Sequence, residues 1–175
     1  MRTATVHCYG DDINTDVILP GQYLNLFHPN DLKPHCMEGL DTDFPGRVQS
    51  GDIIIGGKNF GTGSSREHAP IAIKASGISC IIAISFARIF YRNAINIGLP
   101  VFECPELSAH IVTGENILAD TATGRFVIHG TTYQSRAYPQ VIQDILKAGG
   151  LVPYVKNRMQ TDLPKTAASQ DAGRS

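Results

Sequence analysis

The sequence predicts an α/β domain with a mostly parallel central sheet, flanking helices and a short β-rich segment. Three observations carry this. Residues 52–55 and 79–84 are short apolar runs dense in β-branched side chains, the pattern of strands buried on both faces. Each leads into a stretch with apolar residues at helical spacing, and strand alternating with helix implies parallel pairing. From Asn116 the texture changes to short β segments separated by Thr123-Gly124 and Gly130.

In chain order, residues 6–9 read as a short strand, 10–16 as a polar loop and 17–19 as an apolar stretch stopping at Pro20. Asn30 is placed to cap a short helix through Met37. The strand at 52–55 enters Gly56-Gly57 and then a glycine loop, Gly61-Thr62-Gly63. Ile71, Ala72, Ile73 and Ala75 then read as a helix stopping at Gly77. Its start admits two readings. Ser64-Ser65-Arg66-Glu67 fits a capping box, but that start puts Pro70 in the second turn, without a donor and crowding the preceding carbonyl. A start nearer Glu67 avoids the clash and is preferred.

After the strand at 79–84, Phe86, Ile89, Phe90, Ala94 and Ile97 recur at helical spacing until Gly98-Leu99-Pro100, and 101–102 continues as strand. Residues 116–119, 125–129 and 131–134 are the later β segments. An amphipathic helix at 139–148, capped by Gly149-Gly150, closes the fold. Residues 1–155 thus form one domain, while 156–175 are polar and small and read as a disordered tail.

At 175 residues and 42% hydrophobic content, the chain is of single-domain size with enough apolar side chains for a core. Its 15 Lys and Arg are scattered and its net charge is −1, so it shows no electrostatic footprint for nucleic acid. The first nine residues lack the apolar core of a signal peptide, and the longest apolar run is too short to span a bilayer. A cytoplasmic protein away from membranes is expected. Cys8, Cys36, Cys80 and Cys104 are far apart, without C-x-x-C or nearby Cys/His pairing, and read as reduced structural thiols. By spacing they supply no ligand set for a metal or an iron–sulfur cluster.

The chemistry concentrates in Gly61-Thr62-Gly63-Ser64-Ser65-Arg66-Glu67-His68-Ala69-Pro70. Gly61 and Gly63 allow positive φ, so successive N–H groups can turn toward one anion. Arg66 adds a planar fork that fits a carboxylate, and the following helix directs its positive end to the same place. Paired serines before a helix also serve as caps. Ser64 as a base requires stabilisation of an alkoxide by backbone donors and a cation, which this loop and Arg66 can supply. Glu67 and His68 read as scaffold.

Competing motifs fail on spacing. Asp11, Asp12, Asn14 and Asp16 invite a calcium loop, but Val17 and Tyr23 stand where it needs Gly and Glu. Asn59 follows Lys58 where a phosphate-binding loop needs Ser or Thr, and Arg66 replaces the third glycine of a dinucleotide fingerprint.

Taken in order, Asn14-Thr15-Asp16-Val17-Ile18-Leu19-Pro20, Tyr23-Leu24, Gly57-Lys58-Asn59-Phe60, the 61–70 run, and Phe86-Ala87-Arg88-Ile89-Phe90-Tyr91-Arg92-Asn93 are collinear with one family. The chain resembles, over about residues 5–155, the small subunits of 3-isopropylmalate dehydratase in the aconitase superfamily. The resemblance implies a swivelling β/β/α domain that docks on a large subunit carrying a 4Fe-4S cluster, with no cofactor or metal held here. In such enzymes a hydroxy diacid loses water and is rehydrated with the hydroxyl on the neighbouring carbon, the iron acting as Lewis acid on the leaving hydroxyl.

Carried over by motif, Ser64 is the catalytic base, Ser65 helps bind the anion, Arg66 clamps a substrate carboxylate and Asp16 is an active-site aspartate. Relatives that accept an extra carboxylate carry Arg directly after the Tyr-Leu pair, where this chain has Asn25-Leu26. Without that cation, a third carboxylate left unpaired in a closing site costs on the order of a few kcal/mol. Leu26, with Phe27, suits an alkyl substituent, while Asn25 equally suits a smaller or more polar one. The resemblance therefore implies isomerisation of 2-isopropylmalate to 3-isopropylmalate in leucine biosynthesis, with dimethylmalate, citraconate or another 2-hydroxy diacid as related alternatives. A stand-alone carboxylate- or phosphate-binding module is the alternative of another class.

Overall fold

Isoleucine-rich strands form the centre of the molecule because their side chains alternate between two apolar layers. The computed structural model describes residues 1–162. Strands β1 (Arg2–Cys8), β2 (Ile53–Gly56), β3 (Cys80–Ala83), β4 (Val101–Glu103), β5 (Asn116–Asp120), β6 (Arg125–Ile128) and β7 (Thr131–Gln134) make one sheet, ordered β4-β3-β2-β1-β5-β6-β7. The first four pair in parallel and β1, β5, β6 and β7 pair antiparallel. The β-rich segment anticipated after Asn116 therefore extends the parallel sheet, and the architecture is the mixed α/β one expected.

Helices α1 (Thr15–Ile18), α2 (Pro29–Leu32), α3 (Phe44–Arg47), α4 (His68–Ala75), α5 (Arg88–Asn96), α6 (Pro105–Ser108), α7 (Gln140–Lys147) and α8 (Leu151–Asp162) flank the sheet, with tight 3₁₀ turns at Gly21–Tyr23 and Lys33–His35. Ile54, Ile81 and Val101 enter a core shared with Phe60, Ile73 and Phe90. Their neighbours Ile53, Ile55, Ile82 and Phe102 enter a second core with Phe126 and Leu107. Adjacent strand residues thus serve opposite faces, which explains why β2 and β3 have no polar position.

Two expectations are corrected. The helix anticipated from Asn30 to Met37 starts instead at Pro29, with His28 as its N-cap, and tightens into the 3₁₀ turn at Lys33–His35. Pro29 is preorganised for a first helical position, whereas Pro34 has no N–H with which to continue an α ladder. The chain also does not become irregular at residue 156: α8 carries it to Asp162 with its 156–160 side chains exposed. The remainder of the anticipated tail lies outside the described residues. Among the described residues, no helix is long and apolar enough to cross a membrane.

Candidate active site

The loops leaving the carboxyl ends of β1 and β2 run side by side. Tyr9 N–H donates to Ile55 O (2.8 Å), Gly57 N–H to Gly10 O (3.0 Å), Asp12 N–H to Lys58 O (2.8 Å), Gly61 N–H to Ile13 O (2.7 Å) and Thr15 N–H to Thr62 O (2.8 Å). Asn14 and Thr62 form a parallel bridge at the end of this zipper. The motifs around Asp16 and Ser64, 48 positions apart in the chain (64 minus 16), are brought together at the strand ends where open α/β sheets bind ligands. Gly61 (φ +79°) and Gly63 (φ +97°) do adopt the positive φ the sequence predicts. At Gly61 an added Cβ would sit 2.1 Å from Phe90 Cγ, so packing as well as conformation demands glycine.

Ser64 is held by its backbone. The buried Thr15 hydroxyl accepts from Ser64 N–H at 3.1 Å and donates to Ser64 O at 3.4 Å. From the other side, Asn93 Nδ2 on α5 donates to Ser65 O at 3.0 Å. Both serine side chains are left accessible, Ser64 half-buried and Ser65 exposed. Among the described residues the Ser64 hydroxyl has no hydrogen-bond partner. Neither serine caps α4, whose N-cap is Glu67 without a side-chain bond. The later helix start is the one formed, and Pro70 falls in the first turn, where a backbone N–H has no intrahelical acceptor.

Arg66 turns toward Asp16, and its Nη1 donates to Asp16 Oδ1 in an ion pair. The Arg66 side chain is 27% exposed and that of Asp16 57%. Asp16 lies in the first turn of α1, which Asn14 caps by accepting from the N–H groups of Asp16 and Val17, each at 2.9 Å. A guanidinium has five N–H donors, so this contact leaves Arg66 with others for a ligand carboxylate. The remaining acids of the first loop are used locally. Asp11 accepts from Lys58 N–H at 2.7 Å, and Asp12 accepts from Asn59 Nδ2 at 2.9 Å.

The segment carrying Asn25 and Leu26 starts beside this pair, since a Cβ at Gly21 would lie 3.6 Å from Arg66 Nη1. Asn25 is exposed, while Leu26 is half-buried and packs against the domain's own core. The apolar side chain this loop leaves open is Phe27, 83% exposed. Behind the loop, Tyr23 OH donates to Glu38 Oε1 (2.8 Å), His35 Nδ1 meets Glu38 Oε2 (2.7 Å), and the Tyr23 and His35 rings stack with centroids 3.6 Å apart. The bonds from His35 and Tyr23 hold the Glu38 carboxyl below the usual carboxylate range.

Asp16, Ser64, Ser65 and Arg66 thus form one cluster, with the Asn25–Leu26 segment adjoining. The supporting residues Thr15, Asn93, His35 and Glu38 carry no sequence signal of their own. Thr15 and Asn93 stand inside recognisable motifs, but only the folded loops reveal what they hold.

The chain is similar to known proteins over most of its length. Residues 12–106 match the Aconitase C-terminal domain. The 3-isopropylmalate dehydratase small subunit of Moorella thermoacetica is 53% identical over 159 residues, covering 90% of this chain and 96% of the relative. The 2,3-dimethylmalate dehydratase small subunit of Eubacterium barkeri is 54% identical over 153 residues, 86% of this chain and 94% of that one. A crystal structure of 3-isopropylmalate dehydratase from Methanocaldococcus jannaschii superposes with a TM-score of 0.86 at 45% identity, covering 91% of this chain and 95% of its own. The chain belongs to the aconitase C-terminal domain family, in the group of dehydratase small subunits.

Proposed function

We propose that this chain is the base-bearing small subunit of a hydro-lyase that isomerises 2-isopropylmalate to 3-isopropylmalate, and that it works only with a large subunit. The observation that carries the reading is the Ser64 loop: its backbone is clamped by Thr15 and Asn93, its hydroxyl is left open, and the Arg66–Asp16 pair adjoins it. Positive-φ glycines and the start of α4 supply backbone dipoles that favour an alkoxide at Ser64. That oxygen takes the proton from the substrate carbon adjacent to the one losing its hydroxyl, and the C–H electron pair becomes the double bond. Arg66 holds a substrate carboxylate, Ser65 donates to the anion, and Asp16 fixes the guanidinium until substrate engages it. Asn25 and Phe27 face the substituent, with Leu26 anchoring their loop.

The residues of this chain do not fit an iron–sulfur cluster. Cys36 lies in one core and Cys80 and Cys104 in the other, and burial pushes the thiols of Cys36 and Cys80 up to about 12. Among the described residues no three His, Cys, Asp or Glu side chains gather as ligands. The cluster of this reading belongs to the partner, in a cytoplasmic setting where four unpaired cysteines stay reduced.

The test is anaerobic reconstitution with the cognate large subunit, following absorbance of the unsaturated acid. Turnover should require both chains and fall roughly 10²–10⁴-fold in Ser64→Ala, the range for loss of a general base. Strong carboxylate binding by the single chain, with no turnover in the mixture, identifies a binding module and ends the enzyme reading.

A further inference from the structure

A cleft of about 700 Å³ lies along α5 and the outer edge of β4, and none of its lining residues belongs to the Ser64 loop. Its walls carry three cations. Arg88 and Arg92 stand one turn apart on α5, and Arg136 follows β7. Among the described residues none of the three guanidinium groups is in an ion pair, and Glu103 is the one acid lining the cleft. The chain as a whole has a net charge of −1, so this is a local concentration of positive charge. Beside the arginines lie the half-buried rings of Tyr91 and Tyr138, backed by the buried Phe86 and Phe102.

The cleft also exposes a sheet edge. β4 is terminal in the sheet, and Ile81 N–H bonds to Pro100 O while Cys104 N–H bonds to Ala83 O. By that parity Val101 and Glu103 direct their backbone groups outward. The Tyr138 hydroxyl closes those of Val101, accepting from its N–H at 2.9 Å and donating to its carbonyl. The backbone of Glu103 still faces the cleft.

We infer that this groove receives an acidic segment of the large subunit that also carries an apolar side chain. A bare anion would use the arginines alone, whereas a peptide segment also meets the half-buried rings of Tyr91 and Tyr138 and the open backbone of Glu103. The position gives docking a consequence. α5 is the helix whose Asn93 holds Ser65, so a partner seated beside Arg92 is registered directly against the loop bearing the base. The inference rests on the two-subunit reading above.

The experiment measures the dissociation constant of this chain for its large subunit at low and high salt. It compares wild type, the double variant Arg88→Glu/Arg92→Glu, and Arg136→Glu, which alters no helix. Each variant should bind at least about tenfold more weakly, with a shallower salt dependence. At saturating small subunit kcat should return to near the wild-type value, since all three arginines lie outside the Ser64 loop. Unchanged affinity in Arg136→Glu together with unchanged affinity in a folded double variant overturns the inference. So does tight capture of inorganic phosphate or citrate by the isolated chain at this groove. Turnover with unaltered affinity removes the groove alone, while charge-sensitive association without turnover of any malate derivative removes the proposed reaction and keeps the groove.

Discussion

Thr15 uses one hydroxyl to accept from Ser64 N–H and donate to Ser64 O, so Thr15→Val keeps the shape while leaving those backbone groups unpaired. The cost should be about 1–3 kcal/mol in unfolding free energy, the range for a buried polar group that loses its partner. The kcat of the reconstituted enzyme should fall with it, and Thr15→Ser should restore most of both, checked by denaturant titration and steady-state kinetics. Asn25 bears on substrate choice. A guanidinium at this exposed position adds a partner for a further carboxylate, so Asn25→Arg should shift the kcat/KM ratio toward tricarboxylic hydroxy acids and away from 2-isopropylmalate. No shift in that ratio across a substrate panel would remove the loop from substrate reading.

Among the elements, α3 is tied back to the end of β1 by side chains. Asp41 accepts from Tyr9 OH at 2.7 Å and from Arg47, with one guanidinium contact at 2.9 Å. Burial alone would raise the Asp41 carboxyl, but the bonds from Arg47 and Tyr9 outweigh it and hold the group below the usual carboxylate range. Burial and the same carboxylate raise the Tyr9 phenol. A carboxyl with a depressed folded value contributes stability that is fully present above its unfolded value of about 3.9 and is lost as pH falls toward the folded one. Thermal melts should therefore show the wild type losing stability as pH drops below about 4, and Asp41→Asn losing less over that window.

Elements also differ in how far they were legible. β2, β3, α4 and α5 follow from periodicity and glycine punctuation because each buries a continuous apolar pattern. α1 was not legible: a four-residue turn capped by Asn14 is stabilised by the neighbouring loop, not by its own period. α8 was hidden for a related reason. Its 156–160 side chains are exposed and, Met159 apart, polar, and it is anchored near its start against α5 and α7, where Gly98 and Gly150 let the turns touch.

At the scale of the whole molecule, two cores on opposite faces of one sheet distribute stability unevenly. β1, β2 and β3 are internal strands with covered faces, whereas β7 is an edge strand with Thr131, Thr132 and Gln134 exposed. Amide hydrogen exchange should find Ile54, Ile81 and Ile82 among the slowest groups and β7 exchanging by local opening well before them. Comparable protection in β7 would mean that its exposed edge is covered in solution.

From the chain alone, the alternating layers, the glycine loop and the Ser64-Ser65-Arg66 run were legible because they depend on local period and on adjacent residues, while the family was legible from several motifs in order, which also brought Asp16 into the expected set. The fold in three dimensions set the rest: that Asp16 meets Arg66, that Thr15 and Asn93 hold the serine loop, that Leu26 turns inward while Phe27 stays out, and that Arg136 joins the α5 pair Arg88 and Arg92 at one groove. The physical reason is that such contacts span dozens of residues. They exist only once the sheet has fixed the order of its strands and so chosen which loops lie side by side.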